Sequence, residues 1–503
     1  MGIFLSEREL AELEPAENAF PSPVPTQIVS NGEFNPLPQT PQQRQVEARI
    51  KELADTHAPR QGLDRRRFLQ TASGMAAAFL AMNNVFGRVF DVSEAEAADP
   101  AMAQARADAM KGQFIMDVQT HFVHDKYTQK GILGISVFAK QHWNPALAGN
   151  IDDLSILKFE NYVRQIFLNS DTSIALLSGA PFDDHSWEFL ANDQMREAAN
   201  MVNRVAAGGT RMLAHSVVTP GQPGWMDKVD YAIDKLHPDS WKLYTIGDPL
   251  TAKTKYPWRL DDEKLVYPFY EKAVKSGIRN LCIHKGLMPR DYEQSWAGVW
   301  KYNTPWDIAK AAKDWPQLNF IYYHGCLRAF LELPDQVLAD FEQTGNILWA
   351  SELARIPGEH GVSNVYAEMG TSFANSCTAN PRFAAALLGT WIKGVGVDHV
   401  VWGTDSVIHG SPQWQIEALR RLEIPEDMQQ KHGFAPLGAA NGAVKNQIFG
   451  LNSARLYNIN LRADYPRLSG DKFAQLKEEY RLAGKLNDLR DNLAHGFIAK
   501  RSA

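Results

Sequence analysis

Four short apolar runs in this chain each end on a side chain able to bind a metal ion or carry a proton. Phe114-Ile-Met-Asp-Val-Gln-Thr-His121 ends on His121, Asn280-Leu-Cys-Ile-His284 on His284, Phe320-Ile-Tyr-Tyr-His324 on His324, and His399-Val-Val-Trp-Gly-Thr-Asp405 on Asp405. Side chains alternate faces along a strand, so Gln119 and His121, two residues apart, point the same way. A parallel barrel gathers the carboxyl ends of its strands on one face and places its chemistry there. The recurrence points to one site assembled from strand ends.

Between residues 112 and 458, strand-like runs alternate with helical ones, as in βαβ units around a parallel sheet. Strands are predicted at 113–121, 172–179, 210–218, 240–246, 279–284, 319–324, 346–351 and 399–405, and helices over 188–206, 264–276, 305–314 and 381–392. Eight strands favour closure over an open doubly wound sheet, so the expected fold is a (β/α)₈ TIM barrel. Two connections exceed what a barrel needs. Residues 123–168 follow the first strand and hold His124, His142 and Trp143; residues 352–380 follow the seventh and hold Arg355, His360, Tyr366, Glu368 and Asn375. Long loops on the active face are expected to cover a substrate.

The rest of the chain divides around this core. Residues 1–63, rich in Pro, Gln and Asn, read as a disordered leader with one short helix near 41–54. Residues 64–98 resemble a twin-arginine export signal: Arg65-Arg66-Arg67-Phe68-Leu69-Gln70, the apolar Met75–Met82, then the small-x-small site Ala95-Glu96-Ala97. The resemblance implies the twin-arginine (Tat) export machinery as a partner, and a periplasmic or otherwise exported protein beginning near Ala98. The barrel takes residues 99–460 and a helical extension 461–503. In the extension, Phe473, Leu476, Tyr480, Leu486, Leu489 and Leu493 line one face of a helix over 471–493, which would pack on the barrel or on a second copy in a homo-oligomer.

A net charge of −6 with no basic patch in the barrel region excludes a nucleic-acid partner and leaves a small molecule as substrate. Three scattered cysteines, Cys282, Cys326 and Cys377, give neither a disulfide framework nor a cysteine-based zinc site.

Together, Asp117-Val-Gln-Thr-His121, Trp241-Lys-Leu-Tyr244, His284, His324-Gly, Gly403-Thr-Asp405 and Asn452-Ser-Ala-Arg-Leu-Tyr457 resemble the amidohydrolase superfamily. The branch is the amidohydrolase-related group, which holds the aminocarboxymuconate-semialdehyde and γ-resorcylate decarboxylases beside hydrolases. The resemblance implies one divalent ion, zinc first and manganese or iron as alternatives. Its ligands would be His121, His284 and Asp405, with His324 and Asp405 catalytic. Gln119 stands where the family has His or Glu, and a neutral amide oxygen is the weaker ligand. It either ligates loosely, hydrogen-bonds a bound water, or marks a lost or altered metal site. Arg328, Arg355 and Lys242 are candidates for holding substrate, the arginines by bidentate contact with a carboxylate. Lys285 should face away from His284 if the strand continues.

The implied activity is hydrolysis of a small amide, lactone or ester by metal-activated water. The alternatives are non-oxidative decarboxylation of an unsaturated or aromatic acid, and a metal-free barrel serving as an exported binding subunit.

Overall fold

In a computed structural model of the chain, residues 22–26, 39–128, 154–288, 292–328, 334–407 and 410–484 are described. Eight parallel strands lie side by side in chain order: β1 (Met116–Thr120), β2 (Ile174–Leu177), β3 (Met212–Val217), β4 (Ser240–Tyr244), β5 (Asn280–His284), β6 (Asn319–Tyr323), β7 (Val365–Glu368) and β8 (Val400–Val401). Backbone hydrogen bonds close the circle between β1 and the segment after β8. Val118 N donates to Trp402 O (3.0 Å), Asp405 N to Gln119 O (2.9 Å) and His121 N to Ser406 O (2.7 Å). The expected (β/α)₈ barrel is therefore present.

Its interior is filled by apolar side chains of several strands, among them Val118, Leu176, Leu213, Ile321, Tyr323 and Val401. Helices coat the outside, and their apolar spacing shows why they form. In α3 (Asn192–Ala206), Met195, Ala198, Ala199, Val202 and Ala206 make one buried stripe at helical period.

Helices α4 (Tyr267–Ser276) and α5 (Ile308–Asp314) follow β4 and β5 and match the predicted segments.

The seventh strand is a correction. Residues 346–351 alternate like a strand, with Ile347 and Trp349 buried and Leu348 exposed, but from Ala350 the chain enters helix α6 (Ala350–His360). Its buried residues Ala350, Leu353 and Ala354 follow helical spacing, and Ser351 Oγ accepts the Ile347 N–H (2.8 Å). The true strand is Val365-Tyr-Ala-Glu368, too short to show a period. The stretch 352–380 is thus no lid: it is α6, β7 and the wholly buried helix α7 (Gly370–Ala379), after which comes α8 (Pro381–Val395). The other expected lid falls largely on residues 129–153, which include His142 and Trp143 and lie outside the described residues.

The ends of the chain match expectation in their helices. The short helix expected near 41–54 is present as α1 (Pro41–His57), which buries Val46, Ile50, Leu53 and Ala54; ahead of it, Val24 is buried although its stretch reads as disordered. The export-signal-like segment contains α2 (Ala72–Phe86), buried from Ser73 to Met82. At the other end the extension is helical, as expected: Leu461–Gly470 precedes α10 (Lys472–Leu482), which begins where the predicted 471–493 helix begins, with Asp471 capping it through Ala474 N (2.9 Å). Leu486, Leu489 and Leu493 lie outside the described residues.

Asp471 also ties this extension to the barrel. Buried Arg211, just before β3, donates to its two oxygens (2.6 and 2.8 Å), to Ser173 O (3.1 Å) and to Leu468 O (2.5 Å). Removing one partner of a buried ion pair strands the other charge, at a cost of roughly 3–5 kcal/mol. Asp471→Ala is expected to lower the melting temperature by roughly 5–10 °C. A melting curve superimposable on that of the unaltered protein would show that the clamp contributes nothing.

Candidate active site

The site begins with an irregularity in β1. Asp117 pairs with Ala175 and Thr120 with Leu177, so β1 carries one residue more than β2 across this interval. Such a bulge shifts the inward–outward alternation. Val118 fills the barrel interior, yet past the bulge Gln119 and His121 also point inward. Thr120 turns outward, where its Oγ1 donates to Leu176 O (2.9 Å) and meets Tyr162 OH (2.8 Å).

His121 and Asp405 meet across the seam that closes the barrel. Nε2 of His121 lies 2.9 Å from Asp405 Oδ1, both side chains buried. Nδ1 of His121 faces the Ser178 carbonyl at 2.8 Å, and a carbonyl only accepts, so Nδ1 carries the hydrogen. Gln119 Nε2 donates to Asp405 Oδ1 (3.1 Å) and faces His324 Nε2 (3.4 Å). The far oxygen of Asp405 accepts from Thr371 Oγ1 at 2.5 Å, from the first turn of α7. Asp405 and His324 both hold left-handed backbone, φ +60° and +63°. Non-glycine residues adopt that region at an energetic cost and tend to do so at functional sites.

Two further imidazoles follow, His324 lying beside Gln119. The His284 and His324 rings lie 4.7 Å apart at 69°, and Tyr244 stacks on His284 at 4.6 Å and 9°. Burial, with His324 and Lys242 nearby, holds the His284 pKa well below its ordinary value, which keeps the ring neutral. Lys242 is buried inside the barrel with Nζ 3.7 Å above the Tyr323 ring and 4.9 Å from that of Tyr244. Lys285 faces the other way, as expected, and forms a buried pair with Asp307 (2.9 Å).

Glu368 is the site residue that sequence reasoning passed over as a loop residue. It ends β7, and its Oε2 accepts the His324 N–H (2.9 Å). Burial pushes its pKa up to about 8, with Asp405 adding to the rise. Val365-Tyr-Ala-Glu368 has the same design as the other strand ends, an apolar run closing on a ligand-type side chain, and that was the available signal. Beside it, Gly370 sits at φ +37° with its missing Cβ position 2.7 Å from His324 Nδ1, 2.8 Å from Gln119 Oε1 and 2.9 Å from Glu368 Oε2. Any side chain there would push into all three.

The proposed substrate cations separate. Arg328 follows His324 on the active face, its guanidinium 4.8 Å over the Tyr292 ring. Arg355 is a correction: because β7 lies later than predicted, this residue belongs to α6 in the outer layer. It is half-exposed there, bonded to Asn346 (3.2 Å) and Glu359 (3.5 Å), away from the site. His215, on β3, is an ordinary buried histidine between Ser240 Oγ (2.8 Å) and Tyr323 OH (2.9 Å).

The strand-end site sits within a stretch, residues 116–459, that matches the amidohydrolase family. The chain belongs to the amidohydrolase family. No curated protein matches it. Among solved structures, it is similar to an uncharacterized TIM-barrel protein from Bordetella bronchiseptica at 13% identity and a TM-score of 0.42, covering 68% of this chain and 98% of that one. It is also similar to 5-carboxyvanillate decarboxylase from Sphingomonas paucimobilis, at 14% identity and a TM-score of 0.38, over 69% of this chain and all of the other. A dihydroxybenzoic acid decarboxylase from Polaromonas with bound manganese matches at 13% and 0.39, over 69% and 98%.

The donor set of this amidohydrolase fits a divalent ion in part. Nε2 of His121 lies 2.9 Å from a carboxylate oxygen, a separation that requires a proton or a cation between the two atoms. Buried Gln119 Oε1 has no hydrogen-bond partner among the described residues; a half-turn of the amide would exchange it with Nε2 and supply an oxygen ligand. The expected third ligand is not brought in: among the described residues no three His, Cys, Asp or Glu side chains converge on one point, and His284 lies beside His324 instead. His121, Asp405 and the Gln119 amide are the residues that would hold the ion. Gln119→His is expected to tighten zinc retention at least tenfold and Gln119→Leu to weaken it, read as metal content after dialysis against a chelator. Equal retention in all three proteins would remove Gln119 from the metal's surroundings.

The raised Glu368 pKa gives a second test. Its folded value lies above the unfolded one, so between them the folded state holds a proton that the unfolded state has lost. Its contribution is complete below the ordinary carboxylate range and disappears as pH rises through about 8. In chelator-treated protein, stability should decline from pH 5 to 8, and Glu368→Gln, a neutral mimic, should flatten that decline. An unchanged slope would place the proton elsewhere.

Proposed function

We propose that this amidohydrolase hydrolyses a small amide, lactone or ester, with Asp405 as general base and His324 polarising the substrate oxygen. The observation that carries the reading is the fixing of Asp405: Thr371 holds one oxygen while the other faces His121, Gln119 and the mouth of the barrel. A carboxylate so held has one position from which to take a proton from an attacking water and return it to the leaving group. His324, anchored through its backbone by Glu368 and by Ser372 (2.8 Å), keeps its ring beside that position. Phe189, edge-on to His121 at 6.1 Å, offers an apolar wall for the rest of the substrate.

A divalent ion, when bound, supplies positive charge that acidifies water towards a pKa of ~7. One imidazole with carboxylate and amide oxygens is a harder donor set than two imidazoles. We therefore place manganese ahead of the zinc implied by the sequence resemblance.

Decarboxylation is the second reading, favoured by two cations: Lys242 within the barrel and Arg328 on the active face. There the carboxyl–carbon bond breaks, CO₂ leaves, and His324 or Asp405 protonates the carbon left behind. Loss of Arg355 from the site halves the arginines available to such a substrate and keeps hydrolysis first. Export by the twin-arginine route remains a proposal resting on the Arg65–Leu69 motif; replacing Arg65 and Arg66 by Lys should leave the protein in the cytoplasmic fraction.

Turnover against panels of lactones, esters, amides and aromatic acids decides between the two chemistries. On the substrate found, Asp405→Asn should lose on the order of 10²–10⁴ in kcat. Thr371→Val, which frees the carboxylate without altering it, should lose less and mainly in kcat. Near-normal turnover of Asp405→Asn would refute the assigned base, and no turnover on any panel would favour the binding-subunit alternative.

A further inference from the structure

The export-signal-like segment is built into the wall behind the active site. Residues 73–82 of α2 are buried on every side of the helix, which makes it a core helix rather than a surface one. It packs on α1 and reaches α8. The two asparagines that follow its apolar run do not merely interrupt it. Asn83 closes the next turn, its Oδ1 accepting from Val89 N (3.0 Å) and Phe90 N (2.9 Å) while its Nδ2 donates to Phe90 O (2.8 Å). The chain then pairs with the end of α9 (Gln413–Arg421): Asp91 N donates to Arg421 O (2.7 Å), Glu423 N to Val89 O (2.8 Å), and Phe90 bridges Leu422.

The small-x-small site is equally occupied. Ala97 is fully buried inside a short helix, Glu94–Ala98, and Gln61 donates to the carbonyls of Ala97 (3.3 Å) and Ala98 (3.1 Å). Between the two alanines of the site, Glu96 forms a buried ion pair with Arg421 (2.8 Å), whose guanidinium also lies 5.6 Å over Phe79 of α2. Phe68 and Leu69, the apolar part of the twin-arginine pattern, are buried, and Arg65 is paired with Asp55. The layer also touches the catalytic scaffold: Gln43 of α1 donates to Thr378 O (3.1 Å) near the end of α7, the helix whose Thr371 holds Asp405.

We propose that residues 41–98 are a permanent structural layer of the protein, kept after folding and not removed at Ala97. A protease working at Ala97 would have to extract a buried alanine and break the Glu96–Arg421 pair. An export receptor meets Phe68 and Leu69 only while the layer is undocked. This inference does not depend on the reaction proposed above, because its tests read mass, assembly and stability.

The intact mass of full-length protein recovered from Tat-competent bacteria should include residues 41–98; a chain beginning at residue 98 would overturn the proposal. A protease site inserted between exposed Gly87 and Arg88 then separates covalent from physical attachment. After cutting, the amino-terminal fragment should co-elute with the barrel on gel filtration and the melting temperature should fall by less than 5 °C. Release of the fragment, leaving a folded barrel with its original melting temperature, would also overturn it. A chain starting at Ala98 should be insoluble or melt at least 10 °C lower, and an unchanged melting temperature would count against the layer.

Discussion

Everything at the mouth of this barrel depends on the seam between β1 and the segment after β8. Strand β8 is regular for only two residues, and beyond it the closure is carried by backbone bonds that interleave with functional side chains. Asp405 N donates to Gln119 O, and Val407 N to His121 O (3.2 Å), so the bonds that close the sheet also fix the spacing of Gln119, His121 and Asp405. Asp117 reinforces the same seam: its carboxylate accepts from Gln119 N, Thr404 N (both 3.1 Å) and Thr404 Oγ1 (2.5 Å). Burial pushes its pKa up to about 7. Closure and chemistry cannot be altered independently here, because they share residues.

A second dependence runs from α7 inward. Its first turn starts at a glycine because three polar atoms of the site occupy the room a side chain would need, and its Thr371 and Ser372 hold Asp405 and the His324 backbone. The helix is buried along its whole length, and part of what covers it comes from the amino-terminal layer through Gln43. Gly403 makes a similar demand across the seam, since a Cβ there would lie 1.9 Å from Glu368 Oε1. Asp405 and His324 are thus held in place by neighbours beyond their own strands.

Much of this was legible in the sequence where signals were long or repeated. The strand ends at His121, His284 and His324 fall where their apolar runs place them, whereas β8 stops at Val401 and Asp405 lies in the segment beyond it. The seventh strand was not, because four residues show no period, while 346–351 alternates convincingly before turning helical. That one displacement sent Arg355 to the wrong layer and hid Glu368. The amino-terminal segment misleads for a different reason: an alanine-rich run suits a signal's apolar region and a close-packed core helix equally well, and only burial tells them apart. Residue types at the site were readable, but not that His284 would stand with His324 rather than with His121.

The extra residue in β1 has a consequence for how this chain tolerates change. Substitution at 119 alters a donor and leaves the strand intact, so the chemistry there is open to gradual adjustment. Deleting Gln119 would instead remove only the extra residue: β1 would pair with β2 one for one, with Val118 still inward, Thr120 outward and His121 at the mouth. Outside the bulge there is no spare residue, and a deletion would turn every later side chain to the other face, so the strand works as a reading frame with a single spare letter.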